Sequence, residues 1–318
     1  MVILLYHGVT RSSSKGIENY SGKHLPEADF AKQMRWIRDN SNILSMEQVV
    51  RIGQTGSSWP EPAVAVTFDD GFRNNLEIAA PCLQEYQIPA TFYVCPGVID
   101  SSIPFWVDQV EDCLNRTKAR VLEIVLADLY SFELSDHRDR VKACESIKNY
   151  CKQVEAAERE RVLEELKEKS GIEPSRDSAA NYEVLGWSEL RELSQDPLFT
   201  IGGHSWSHGI LSCMSNNELE QDIEKTLKKL KTELGKEILH FSYPEGQAEH
   251  YNERVIRTLR ACGVSGAPSA IDGVNGVDED LFHLRRIMPG FRGRQFPVAE
   301  IKGKYSFVQK SEDLVSGS

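Results

Sequence analysis

Val64-Ala65-Val66-Thr67-Phe68-Asp69-Asp70-Gly71 is the stretch on which the fold turns. A short apolar run that passes straight into two carboxylates and a glycine reads as a buried strand, Val64–Phe68, with an acidic carboxyl end, where α/β proteins build their sites. Neighbouring strand residues point to opposite faces, so Asp69 and Asp70 share a site only if the chain leaves extended geometry there, which Gly71 permits. Asp-Asp-Gly also suits a helix start, with Asp as the cap. Outward from this stretch, further apolar runs predict strands at Val2–Tyr6, Ala90–Val94, Phe199–Ile201, Leu239–Ser242 and Val264–Ala267. Helix-period stretches fall between them, at Glu27–Arg38, Asn75–Tyr86, Ser188–Leu193, Asn217–Leu234 and Tyr251–Ala261. In the clearest, Leu219, Ile223, Leu227, Leu230 and Leu234 recur at steps of four and three. Ser215 and Glu218 form a capping box before it and Gly235 stops it. Strand followed by helix, repeated, predicts an α/β fold: a parallel sheet or a barrel with helices outside.

The segment from Val107 to Lys169 breaks this rhythm with charged, helix-period residues. It reads as a helical insertion at about 105–185 over one rim of a single domain (1–308), followed by a polar tail at 309–318. The chain has 318 residues, 40% of them hydrophobic and 27% charged, which excludes disorder as its overall description. Its formal charge of −11 argues against nucleic acid as a partner. No apolar run approaches the roughly 18 residues of a membrane span. The start, Met1-Val2-Ile3-Leu4-Leu5-Tyr6-His7-Gly8, reads as a strand and not a signal peptide. The 7 cysteines form no C-x-x-C pair and suit free thiols. A cytoplasmic enzyme is the expectation.

Two further motifs end predicted strands. Gly202-Gly203-His204-Ser205-Trp206-Ser207-His208 carries His-x-x-x-His, a spacing that puts two imidazoles on one face of a helical turn. With one carboxylate they make up the three ligands a hydrolytic metal site needs. His240-Phe241-Ser242-Tyr243-Pro244-Glu245-Gly246 is either an ordinary turn or a rigid loop that lines a groove and aims a backbone N–H at a substrate oxygen.

Together, Thr67–Gly71, His204–His208 and Phe241–Gly246 resemble the first three motifs of the polysaccharide deacetylases, the NodB-homology group of carbohydrate esterase family 4. The opening Leu5-Tyr6-His7-Gly8, the stretch Ile88-Pro89-Ala90-Thr91-Phe92 and the segment at Trp187 add to a likeness over 1–100 and 185–290. The resemblance implies a distorted (β/α)7-type barrel and metal-dependent removal of an N-acetyl group from an amino sugar. It implies Asp69 as catalytic base, Asp70, His204 and His208 as ligands of one divalent ion (zinc first, iron or cobalt as alternatives), and the Glu245 N–H as oxyanion donor. Many members carry an arginine in the third motif that steadies the base. Ser242 stands there in this chain, and Arg286 is the expected replacement from a later strand.

For the general acid, His7 at the end of the first strand is preferred to His283, whose Leu281-Phe282-His283 matches a late family motif in letters only. Tyr243, Trp206 and Trp106 could be sugar platforms or core, and Pro244 and Glu245 would line the substrate side. Arg292 and Arg294 could meet a phosphate or form a solvated loop. The expected substrate is a nucleotide- or lipid-linked glycan precursor or an aminosugar intermediate. The alternatives are another amide, through deformylation or a non-sugar amidase activity, and a catalytically silent sugar-binding barrel.

Overall fold

The computed structural model describes residues 1–11 and 14–303, so the 309–318 tail lies outside the described residues. Four parallel strands, Val2–Tyr6, Ala63–Phe68, Ala90–Val94 and Phe199–Gly203, lie side by side in that order. Val2–Tyr6, Ala63–Phe68 and Ala90–Val94 are buried along their whole length, as strands covered on both faces must be. The sheet continues through single parallel bridges, Gly203 to Phe241 and His240 to Gly266. Ala267 N–H donates to Leu281 O and Ser269 N–H to Leu284 O. Ile287 bonds back to the first strand through Ile287 N–H to Ile3 O and Leu5 N–H to Ile287 O. The ring therefore closes as a seven-position (β/α) barrel. The strands expected at Leu239–Ser242 and Val264–Ala267 shrink to isolated bridges, because the chain turns away at Ser242–Pro244 to build a loop on the rim.

Tyr6, Phe30, Phe68 and Phe92 pack ring against ring at 4.9–5.8 Å along one core. Outside it, helix Glu27–Asn40 buries Phe30, Met34 and Ile37. Helix Asn216–Leu234 has the expected Ser215–Glu218 capping box and ends at Gly235 in the left-handed region. Helices Trp106–Arg116, His137–Cys151 and Ala156–Ser170 form an outlying lobe with its own apolar cluster, including Val110, Leu114, Ile147, Val162 and Leu166. This lobe also holds an antiparallel hairpin, Val121–Val125 with Leu129–Glu133. The helix-period expectation passed over that hairpin, although Leu122 and Ile124 alternate with exposed neighbours at the strand period of two. No helix among the described residues is long and apolar enough to cross a membrane.

Candidate active site

Asp69, at the end of Ala63–Phe68, is tied to the neighbouring strand by its N–H to Tyr6 O, 3.0 Å. The chain then turns within three residues. Gly71 N–H donates back to Asp69 O at 3.0 Å, and Asp70 and Gly71 have φ of 74° and 78°. Turns of this kind are strained and rare, and this one brings both carboxylates to the same cavity. The departure from extended geometry lies at Asp70 as well as Gly71. At Gly71 a Cβ would also sit 2.7 Å from Val94 Cγ1.

Arg286, 1% exposed, grips Asp69 with both nitrogens of its fork, Nη1 to Oδ1 at 2.8 Å and Nη2 to Oδ2 at 2.7 Å. Its own aim is fixed by Nε to Ser269 O at 2.6 Å and Nη1 to Thr67 Oγ1 at 3.2 Å. Burial alone would raise the Asp69 carboxyl, but the Arg286 guanidinium holds it well below the usual carboxylate range. Asp70 has no such partner. Burial drives it well above that range, with Asp69 and Asp108 adding to the rise against Lys23, and its Oδ1 accepts no hydrogen bond.

The His204–His208 segment is not a helical turn, contrary to the spacing argument. Ser205 and His208 have φ of 58° and 60°. The segment is a clamped loop: Ser205 Oγ accepts Gly209 N–H at 3.0 Å, Trp206 N–H donates to Asp222 Oδ1 at 2.9 Å, and Trp106 Nε1 donates to His208 O at 3.1 Å. The outcome expected of the spacing is met by another route. The imidazole centroids are 5.0 Å apart, and His204 Nε2 and His208 Nε2 lie 3.6 and 3.4 Å from Asp70 Oδ1. Burial lowers both histidines, leaving them neutral. One buried carboxylate with an unpartnered oxygen and two neutral imidazoles, all donor atoms within 4.8 Å, is a donor set that fits a divalent cation.

Ser242 joins the two halves of the site. Its Oγ donates to Asp69 Oδ1 at 3.1 Å and lies 2.7 Å from His204 Nδ1, while its carbonyl O is 2.9 Å from the same nitrogen. An Nδ1–H bonded to that carbonyl leaves the His204 Nε2 lone pair turned to Asp70. Three residues on, Glu245 sits at φ 60°, bridged by Gly246 N–H to Pro244 O at 2.7 Å. Its own N–H donates to no protein group among the described residues. His7 also lines the cavity; burial pushes its imidazole down to about 3, and its Nδ1 has no partner.

Several expected residues are not brought in. His283 is 40% exposed, bonded to Tyr251 and facing Glu253, and does not line the cavity. Tyr243 is core: its ring stacks on Tyr251 and its hydroxyl donates to Phe282 O. Pro244 lies beside the cavity without lining it. The Trp206 indole lies against Gly97 and under Lys225, away from the cavity, and Trp106 backs the His208 loop. Arg292 and Arg294 do line it, each already paired, with Glu145 and with Asp272 and Glu300. Lys23, Glu111, Lys148, Lys152 and Tyr182 line the cavity of about 790 Å³ without having been expected there. They come from segments with no motif around them.

Residues 56–267 match the family described as polysaccharide deacetylase. A poly-beta-1,6-N-acetyl-D-glucosamine N-deacetylase of Staphylococcus aureus is 28% identical over 127 residues, 40% of this chain and 40% of that protein. The match thus spans well under half of that relative's length. Among solved structures, a Streptococcus pyogenes deacetylase in complex with acetate superposes with a TM-score of 0.60 at 17% identity, covering 93% of this chain and 94% of that one. A de-N-acetylase from Aggregatibacter actinomycetemcomitans gives 0.60 and 17%, covering 96% and 99%. At such identities the likeness concerns the fold.

Proposed function

The chain belongs to the polysaccharide deacetylase family, and on that premise we propose that it hydrolyses the N-acetyl group of an amino sugar with the help of one divalent metal ion. The observation that carries this reading is the pairing of Asp69 with Arg286 directly beside Asp70, His204 and His208. Two imidazoles and a carboxylate suit zinc first, and iron or cobalt accept the same donors. Held by Asp70, His204 and His208, the ion would supply a lowered water pKa and polarisation of the amide carbonyl.

The chain's own residues do the rest. Asp69, kept ionised and oriented by Arg286 and Ser242, accepts the proton of the attacking water at its carboxylate. The free Glu245 N–H donates to the oxygen that gains charge as the carbonyl becomes tetrahedral. The C–N bond then breaks and nitrogen takes a proton, so that the N-acetyl amide and one water together give acetate and a free amine. His7, neutral in the resting site, can deliver that proton only after gaining one during turnover.

The activity and substrate of the Staphylococcus aureus relative support the sugar and the acyl group. We place the protein in a reducing compartment, the cytoplasm, on the support of seven cysteines without a disulfide. That placement favours a nucleotide- or lipid-linked precursor or an aminosugar intermediate. The test is acetate release from N-acetylglucosamine derivatives by wild type and Asp69→Asn, with metal content measured on both. Acetate released by wild type and lost in the variant at equal metal is the expected result. Formate release or turnover of non-sugar amides would replace the substrate, and a metal-free protein that binds glycans without hydrolysis would leave a silent sugar-binding barrel.

A further inference from the structure

We propose that the site takes its substrate end-on, as a single N-acetylated sugar or the terminal unit of a short chain, and excludes the interior units of a polymer. This rests on the N-deacetylase reading and narrows it. Deacetylating an interior unit requires a groove open on both sides of that unit, so that the chain can leave in two directions. Helix His137–Cys151 forms part of the cavity wall, with Lys148 and Asn149 among its lining. One turn to either side of them, the helix is tied to the opposite wall.

At one end Lys152 Nζ lies 2.6 Å from Glu245 Oε2, joining the insertion to the loop that carries the free N–H. At the other, Glu145 Oε1 pairs with Arg292 Nη2 at 2.8 Å. The Arg292 backbone N–H donates to Ser21 O at 2.6 Å, and Gly22 lies so close to the same loop that a Cβ there would be 2.7 Å from Gly290 O. From Glu145 to Cys151 the helix rises about 9 Å and Lys152 caps it, so the two contacts to the opposite wall stand a short distance apart on either side of Lys148 and Asn149.

The wall beneath is fixed by buried pairs, Lys23 with Asp108 and Lys148 with Glu111, and by Tyr182 hydroxyl to Glu111 at 3.0 Å. Asp108 Oδ2 accepts no hydrogen bond, but each of these charges faces an opposite one, and swinging that wall aside would leave them unpaired. A space of about 790 Å³ spanned by these two contacts is of the size that encloses most of a small ligand.

The test uses N-acetylglucosamine and its β-linked oligomers of two to six units, labelled at the reducing end, with kcat/KM from acetate release and the deacetylated unit located by mass spectrometry. The expected result is a kcat/KM that changes less than about threefold from dimer to hexamer, with acetate lost only from a terminal unit. A rise of about tenfold or more with length, or loss from interior units, overturns the end-on proposal and leaves the hydrolytic reading standing. No acetate from any member refutes the hydrolytic reading and the proposal with it. Glu145→Ala with Lys152→Ala should raise the hexamer-to-monomer ratio by about fivefold or more, and an unchanged ratio in the folded variant overturns the role given to the two contacts.

Discussion

Replacing Arg286 tests the electrostatics of the site. Arg286→Ala deletes both bonds to Asp69 and those to Thr67 and Ser269, all in the buried interior. Breaking a buried pair by removing one partner costs about 3–5 kcal/mol, a large part of the roughly 5–15 kcal/mol that keeps a domain folded. Arg286→Lys is therefore needed beside it, keeping a charge while losing the two-point grip. In either variant burial acts on Asp69 with less opposition, and its carboxyl moves up, the direction Asp70 already takes. Where it climbs through the assay range, the base is protonated and its contribution, about 10²–10⁴ in rate, is lost.

Acetate release from pH 5 to 9 should show kcat/KM at pH 7 lowered by about 10² in Arg286→Ala and by less in Arg286→Lys, with the acid limb moved to higher pH in both and metal content unchanged. Stability carries the same sign. In wild type the depressed Asp69 stabilises the fold at every pH above its unfolded value near 3.8, and that contribution is lost only in strong acid. In the alanine variant a raised carboxyl makes stability fall as pH rises past that value, so the gap between the two proteins widens from about pH 4 upward. Equal turnover with an unmoved acid limb, at equal metal, would refute both the pairing and the role given to it.

His208→Ala and Asp70→Asn should each cut bound metal from near one ion per chain to a small fraction by elemental mass spectrometry, while Arg286→Lys keeps it. Chelation of the wild type should abolish acetate release, with recovery on adding zinc. Burial raises Asp222 to about 6, although it accepts Trp206 N–H. Wild type should therefore lose up to about 3 kcal/mol relative to Asp222→Asn between pH about 4 and 6, and denaturant titrations at the two ends of that window check it. Gly71→Ala, which forces a Cβ into Val94 at positive φ, should lower stability by about 2–4 kcal/mol, seen as a drop in Tm.

What the sequence made legible follows from how local each signal is. The strand Ala63–Phe68 and the cap at Ser215 are written in adjacent residues and stand within one residue of expectation. Asp70, His204 and His208 meet because their strands end on one rim, which alternation of strand and helix already implied. The turn geometry was not legible: His204–His208 is a loop because Asp222, on a later helix, takes the N–H of Trp206, a contact no local rule contains. Nor were the cavity walls, since Lys148 and Lys152 look like any charged helix face until the Glu111 and Glu245 carboxylates are placed opposite them. Tyr243 erred the other way. Its aromatic ring beside a motif suggested a sugar platform, but a hydroxyl satisfied by Phe282 O makes it core.

Asp69 and Asp70 show why the division of labour within the site follows from packing more than from residue type. They are adjacent and nearly equally buried, at 3% and 4% exposure. Their carboxyls nevertheless move in opposite directions, because a strained turn aims one at Arg286 and the other at two neutral imidazoles. A carboxylate satisfied by a guanidinium has no need of a metal and stays ionised, which suits the proposed base. One left unsatisfied in the same interior is stable as an anion only beside a cation, which suits the proposed ligand. Exchanging the two roles would require moving Arg286 to the other side of the turn, and its bonds to Thr67 and Ser269 fix it where it stands.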